Sequence, residues 1–116
     1  MAVAVMVVDR NSIIRMLLSE TSHVLGYGAV EAGCCVDAVR VLATLPRLDL
    51  LLAEWGPAGG GGLGLAHAAR DRFPGVPVLF LGSGDDACEG LAQPCGVLRK
   101  PFTMAEALTQ IRRLLG

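Results

Sequence analysis

Residues Leu48–Pro57 read LDLLLAEWGP. The middle, Leu50–Ala53, is unbroken apolar chain that ends in one carboxylate, Glu54, before Trp55, Gly56 and Pro57 interrupt it. A short continuous apolar run between turn signals reads as a strand buried on both faces. Such strands lie in the middle of parallel sheets, and in open α/β sheets ligands and chemistry gather at their carboxyl ends. Glu54 stands at such an end.

Similar runs recur along the chain. Ala2–Val8 is wholly apolar and ends at Asp9; Val76–Leu81 and the shorter Gly96–Arg99 follow, and Ala29–Ala32 is weaker. Helical patterns lie between them. Asn11 or Ser12 can cap a helix whose inward face is Ile14, Leu17, Leu18, Thr21, Val24 and Leu25. Cys35–Leu45 reads as a helix with Val36, Val39 and Leu42 inward and Pro46 beyond its end. A glycine loop, Gly59–Gly62, precedes an Ala-rich helix over Leu63–Phe73, stopped by Pro74. Asp85–Ala92 leaves room for at most two helical turns, so the fourth helix is expected to be stunted. Thr103 and Glu106 fit a capping box opening a last helix with a stripe of Met104, Ala107, Leu108, Ile111, Leu114 and Leu115. Five β-α units with central apolar strands imply one doubly wound, flavodoxin-like parallel sheet of order 2-1-3-4-5, helices covering both faces.

The 116 residues are expected to be one domain over 1–116, with no output domain among them. The composition is 53% hydrophobic and only 18% charged, an apolar excess that leaves room for a partner surface or a second copy. A net charge of −1 without a clustered basic face argues against nucleic acid. Ala2–Val8 is too short to span a membrane and lacks the flanks of a signal peptide, so a cytoplasmic location without membrane attachment is expected. Cys34, Cys35, Cys88 and Cys95 show no CxxC or zinc spacing and are expected to be reduced thiols rather than metal ligands or a disulfide. His23 and His67 lie in helices without partner motifs and read as packing or solvent-facing residues.

Four apolar strands end in polar residues: Asp9 and Arg10 after the first, Glu54 at the third, Ser83 after the fourth and Lys100 after the fifth. A parallel sheet places these ends on one edge, with Asp9 and Glu54 facing one crevice at the switch point. With the segments VMVVDRN, DLLLAEWGP, PVLFLGS and RKPF, the chain resembles, over essentially its whole length, a response-regulator receiver domain of two-component signalling. The resemblance implies a strand-one acidic pair and a strand-three aspartate that bind Mg²⁺, the aspartate accepting a phosphoryl group from a histidine kinase. It also implies a switch hydroxyl after strand four, a phosphoryl-contacting Lys before Pro, and an aromatic on strand five.

Carried over by residue, Asp9 matches the first acid, but Arg10 stands where the second belongs and Glu54 where the acceptor aspartate belongs. Gly82 falls on the hydroxyl position with Ser83 one residue late, and Val97 falls on the aromatic position. Lys100 and Pro101 match, with the bond before Pro101 expected cis as in the family. Asp9 and Glu54 against Arg10 and Lys100 sum to zero without a metal. A guanidinium at position 10 removes a ligand, repels a divalent cation and offers a fork to a carboxylate. Arg10 is therefore expected to pair with Glu54 or Asp9, against the plainer reading that it swings into solvent. Mg²⁺ binding, for which Asp9 and Glu54 would be the ligands left, is expected to be lost or weak, and no other cofactor is implied. Glu54 is one methylene longer than aspartate, and small misplacements of a nucleophile are costly.

The reading is thus an atypical, non-enzymatic receiver that binds a histidine kinase or downstream effector without phosphoryl transfer. The alternatives are a working phospho-receiver using Glu54 or Ser83 with Mg²⁺, and, with less support, a flavodoxin-like ligand binder. For the latter, DRNS is a poor phosphate loop.

Overall fold

The computed structural model describes residues 3–56, 61–82 and 86–116, with Val3 described by its backbone only. The described elements alternate as β1 (Val3–Val8), α1 (Ser12–Val24), β2 (Gly28–Ala32), α2 (Cys35–Leu42), β3 (Leu50–Glu54), α3 (Gly62–Arg72), β4 (Val78–Gly82), a 3₁₀ turn (Ala87–Gly90), β5 (Cys95–Arg99) and α4 (Met104–Leu115). The strands pair in parallel in the order β2-β1-β3-β4-β5. This is the expected doubly wound order, which brings the ends of β1 and β3 side by side.

The apolar runs are continuous because both faces of the sheet are covered. Along β3, Leu50 and Leu52 pack with Leu18 of α1 and Ala107 and Ile111 of α4. Leu51 and Ala53 turn the other way, to Ala38, Leu65 and Ala66 of α2 and α3. At roughly 25 cal/mol per Å² of apolar area buried, these two layers are the main source of stability.

The helix signals hold at most ends. Asn11 Oδ1 accepts from the backbone N–H groups of Ile13 (2.9 Å) and Ile14 (3.3 Å), capping α1. Thr103 and Glu106 form the capping box of α4. Two inward faces need correction. Val36 and Val39 of α2 are exposed, at 63% and 46%; Ala38 faces the sheet in their place, beside Leu42, which is buried as expected. Ala38 is small enough to let the helix approach, and each residue turns the helix by about 100°, so Val39 is carried away from the contact. Val24 at the end of α1 is likewise exposed, and Met104 lies at the open edge of its stripe.

The cysteine expectation is also corrected. Cys88 and Cys95 are joined as a disulfide, with Cα atoms 5.9 Å apart; Cys34 and Cys35 are free. The physical reason is the short connection between β4 and β5, whose described residues form a four-residue 3₁₀ turn that folds Cys88 back onto the start of β5. Arg70 of α3 holds the end of the same stretch: its guanidinium donates to the carbonyls of Ala92 (2.6 Å) and Pro94 (2.8 Å), and also to that of Val76 before β4 (2.8 Å). Desolvation lowers the Arg70 pKa from its ordinary value. The peptide bonds before Pro101 and Pro94 are both cis. Among the described residues, no helix is long and apolar enough to cross a membrane.

Candidate functional site: a charge-balanced crevice

β1 runs directly into Asp9, whose side chain is fully buried. Its Oδ1 accepts the Asn11 backbone N–H at 2.8 Å, and its Oδ2 accepts from Lys100 Nζ at 2.7 Å. Lys100 follows β5 and also reaches Glu54 Oε2, at 3.5 Å. Arg10 Nε donates to the same Glu54 oxygen at 3.2 Å, while the Arg10 backbone N–H approaches Glu54 Oε1 at 3.4 Å. The structure thus brings Asp9, Arg10, Glu54 and Lys100 into one network of two carboxylates and two cations. Both sequence expectations for Arg10 have a counterpart, since its side chain is paired with Glu54 and still 85% exposed.

The two bridges differ physically. Asp9–Lys100 is sheltered, and a buried carboxylate requires its cation. Arg10–Glu54 is open to solvent, where an ion pair contributes little. Arg15, which sequence reasoning passed over, supports the site from behind. It donates to the Asp9 carbonyl at 2.7 Å and pairs with Glu31 of β2 at 3.3 Å. Its position one turn beyond the Asn11 cap was the available signal.

The network opens into a crevice of about 310 Å³ lined by Asp9, Arg10, Cys34, Cys35, Glu54 and Trp55, among others. Trp55 both borders the crevice and packs edge-on against Phe80, ring centroids 5.1 Å apart. Cys34 and Cys35 were not foreseen there; the β2–α2 turn carries them to the crevice. Burial raises the Cys35 thiol pKa above its ordinary value, with Cys34 and then Glu54 adding to the effect.

Two glycines shape the rim. A Cβ on Gly62 would lie 2.3 Å from the Glu54 carbonyl oxygen, so only glycine lets α3 start so close to β3. Gly82, at the position of the family's hydroxyl, has φ +134°, a conformation that L side chains rarely adopt. Its carbonyl accepts the Lys100 backbone N–H at 3.2 Å. Val97 is half-buried on β5 and contributes no aromatic ring. Ser83, and Gly59 and Gly60 of the glycine loop, lie outside the described residues. His23 and His67 are exposed on α1 and α3, away from the residues that line the crevice.

The donor set does not fit the Mg²⁺ that this type of fold implies. Mg²⁺ takes near-octahedral oxygen ligands at about 2.0–2.1 Å, supplied by carboxylates and water. Here Asp9 Oδ2 and Glu54 Oε2 both accept from ammonium or guanidinium groups. Among the described residues, no three His, Cys, Asp or Glu side chains converge in a metal-binding group.

No protein-family model matches the chain. It is 30% identical over 117 aligned residues to the probable transcriptional regulatory protein TcrX of Mycobacterium tuberculosis, covering 97% of this chain and 50% of that protein. The chain therefore spans about half the length of that curated relative. Among solved structures, a response regulator receiver protein from Sinorhizobium medicae superposes with TM-score 0.83 at 22% identity, over 98% of this chain and 94% of the other. Chemotaxis protein CheY4 of Vibrio cholerae gives 0.82 at 21% identity, covering 98% and 99%. The receiver domain of NtrX from Brucella abortus gives 0.78 at 22%, covering 96% and 97%. With its 2-1-3-4-5 sheet, Asp9 and Glu54 at the switch point and Lys100–Pro101 beyond β5, this chain folds as a response-regulator receiver domain.

Proposed function

We propose that this receiver works in two-component signalling by binding a protein partner, a histidine kinase or a downstream effector in the cytoplasm, without accepting a phosphoryl group. The observation that carries the reading is the Arg10–Glu54–Lys100–Asp9 network. In-line phosphoryl transfer depends on positioning and on cations that gather charge on the transferred group. Here two carboxylates already hold two fixed cations, and the carboxylate at the acceptor position is engaged by both. The groove between β5 and α4, lined in part by Val97, Arg99, Ala105, Glu106 and Thr109, offers an apolar-to-polar surface for the partner.

Trp55 reports on the crevice directly. Titration of the intact protein with Mg²⁺, then with beryllofluoride in its presence, is expected to give no saturable change in Trp55 fluorescence. Incubation with acetyl phosphate is expected to add no phosphoryl mass. The double variant Arg10→Asp/Glu54→Asp restores two carboxylates and is expected to gain Mg²⁺-dependent quenching. Saturable quenching of the unaltered protein by Mg²⁺ followed by beryllofluoride, or a phosphoryl adduct on Glu54, would establish a phospho-receiver instead.

A further inference from the structure

We propose that Cys88 and Cys95 form a reversible redox modification site whose oxidant is a low-molecular-weight disulfide, and that it controls the order of the turn between β4 and β5. This inference is independent of the reading of the crevice. It starts from what else holds the segment. Arg70 grips the carbonyls of Ala92 and Pro94, and Cys95 is already the first residue of β5, paired with Val78. These contacts lie on the Cys95 side and survive cleavage of the S–S bond. On the Cys88 side, Ala87 and Leu91 are buried in the core, while the backbone of the 3₁₀ turn between them makes short local bonds, Glu89 N–H to the Asp86 carbonyl (3.0 Å) and Leu91 N–H to the Cys88 carbonyl (3.1 Å). Below about one helical turn such bonds have little cooperative support. The disulfide is therefore the covalent tie on the stretch between these two anchors, and its loss loosens the backbone of the turn while the sheet stays intact.

Accessibility also fits exchange chemistry. Cys88 is half-buried and Cys95 is 5% exposed, so an incoming sulfur reaches Cys88 first. In oxidation, the Cys88 thiolate attacks a small disulfide RSSR, forms a Cys88–SR mixed disulfide and releases one RS⁻, which takes a proton. Cys95, giving its proton to solvent, then attacks Cys88 Sγ and expels the second RS⁻. The two protein thiols supply two electrons and two protons, and RSSR leaves as two RSH. Reduction runs the same path backwards, beginning with RS⁻ at Cys88.

The sequence makes the readout clean. No Lys or Arg lies between Arg72 and Arg99, so trypsin releases Phe73–Arg99 with these two cysteines and neither Cys34 nor Cys35. The native protein is equilibrated in glutathione buffers from fully reduced to fully oxidised, quenched with an alkylating reagent and digested. The expected result is complete interconversion of this peptide between a doubly alkylated and an unalkylated form, with glutathione on Cys88 at intermediate ratios. Hydrogen exchange of Ala87–Leu91 is expected to rise at least about tenfold on reduction, with β3 and β5 unchanged. Cys88→Ser is expected to show the faster exchange in both buffers. A pair that resists excess glutathione in the native state, one that stays reduced in oxidised glutathione, or reduction that leaves exchange of the turn unchanged would each overturn the proposal.

Discussion

The two ends of β5 are held by opposite kinds of chemistry. At its carboxyl end, Lys100 ties Asp9 and Glu54 together through charge, with Arg10 as a solvent-exposed fourth member. At its amino end, a covalent bond and a guanidinium directed at two of its carbonyls hold the stunted connection, and the same guanidinium reaches Val76 before β4. Charged contacts depend on burial, ionic strength and partner identity. A disulfide and bonds to neutral carbonyls depend far less on salt. The crevice can therefore be retuned by single charge changes, whereas opening the disulfide would free the Cys88 side of the connection and leave the Arg70 contacts on the Cys95 side in place.

The sharpest way to break this contrast is Lys100→Met. It leaves a fully buried carboxylate without its cation, and such losses cost about 3 kcal/mol. Urea unfolding would measure it, and Asp9→Asn in the same chain should recover part of the loss. A cost under about 1 kcal/mol would show that burial, not charge, holds this end. Next comes Arg70→Ala, expected to cost about 2 kcal/mol because hydrogen bonds from a charged donor are lost together. That cost should be the same whether or not Asp9 is also replaced by Asn, while the Lys100→Met cost should fall in the Asp9→Asn background; equal costs in both backgrounds would erase the distinction. The smallest effect belongs to Arg10→Ala, within about 0.5 kcal/mol, because the pair is 85% exposed on the arginine side. A larger loss by the same unfolding measurement would make Arg10 a structural member of the network.

The sequence pattern carried the sheet well because each central strand is apolar on both faces, a signal that few other elements share. The charge pairing was legible for a similar reason: four ionic side chains at strand ends have few places to go except toward one another. The failures have specific causes. On α2 the valines drew attention to the wrong face, since hydrophobicity does not reveal where a helix must approach closely, and Ala38 does that. The Cys88–Cys95 bond was missed because a spacing of seven residues says nothing of how sharply the chain turns between them. The clasp made by Arg70 left no trace in sequence, since its targets are backbone carbonyls, which every residue carries. Cys34 and Cys35 reach the crevice only through the turn after β2.

The bond from Lys100 to Asp9 joins positions 91 residues apart. A growing chain leaving the ribosome has β1 and β3 long before the lysine exists. Until the fifth strand arrives, Asp9 has no ammonium to face, and a naked carboxylate resists leaving water. The pocket is thus completed last during synthesis, and a nascent chain cut short before Lys100 keeps its first strand unsealed.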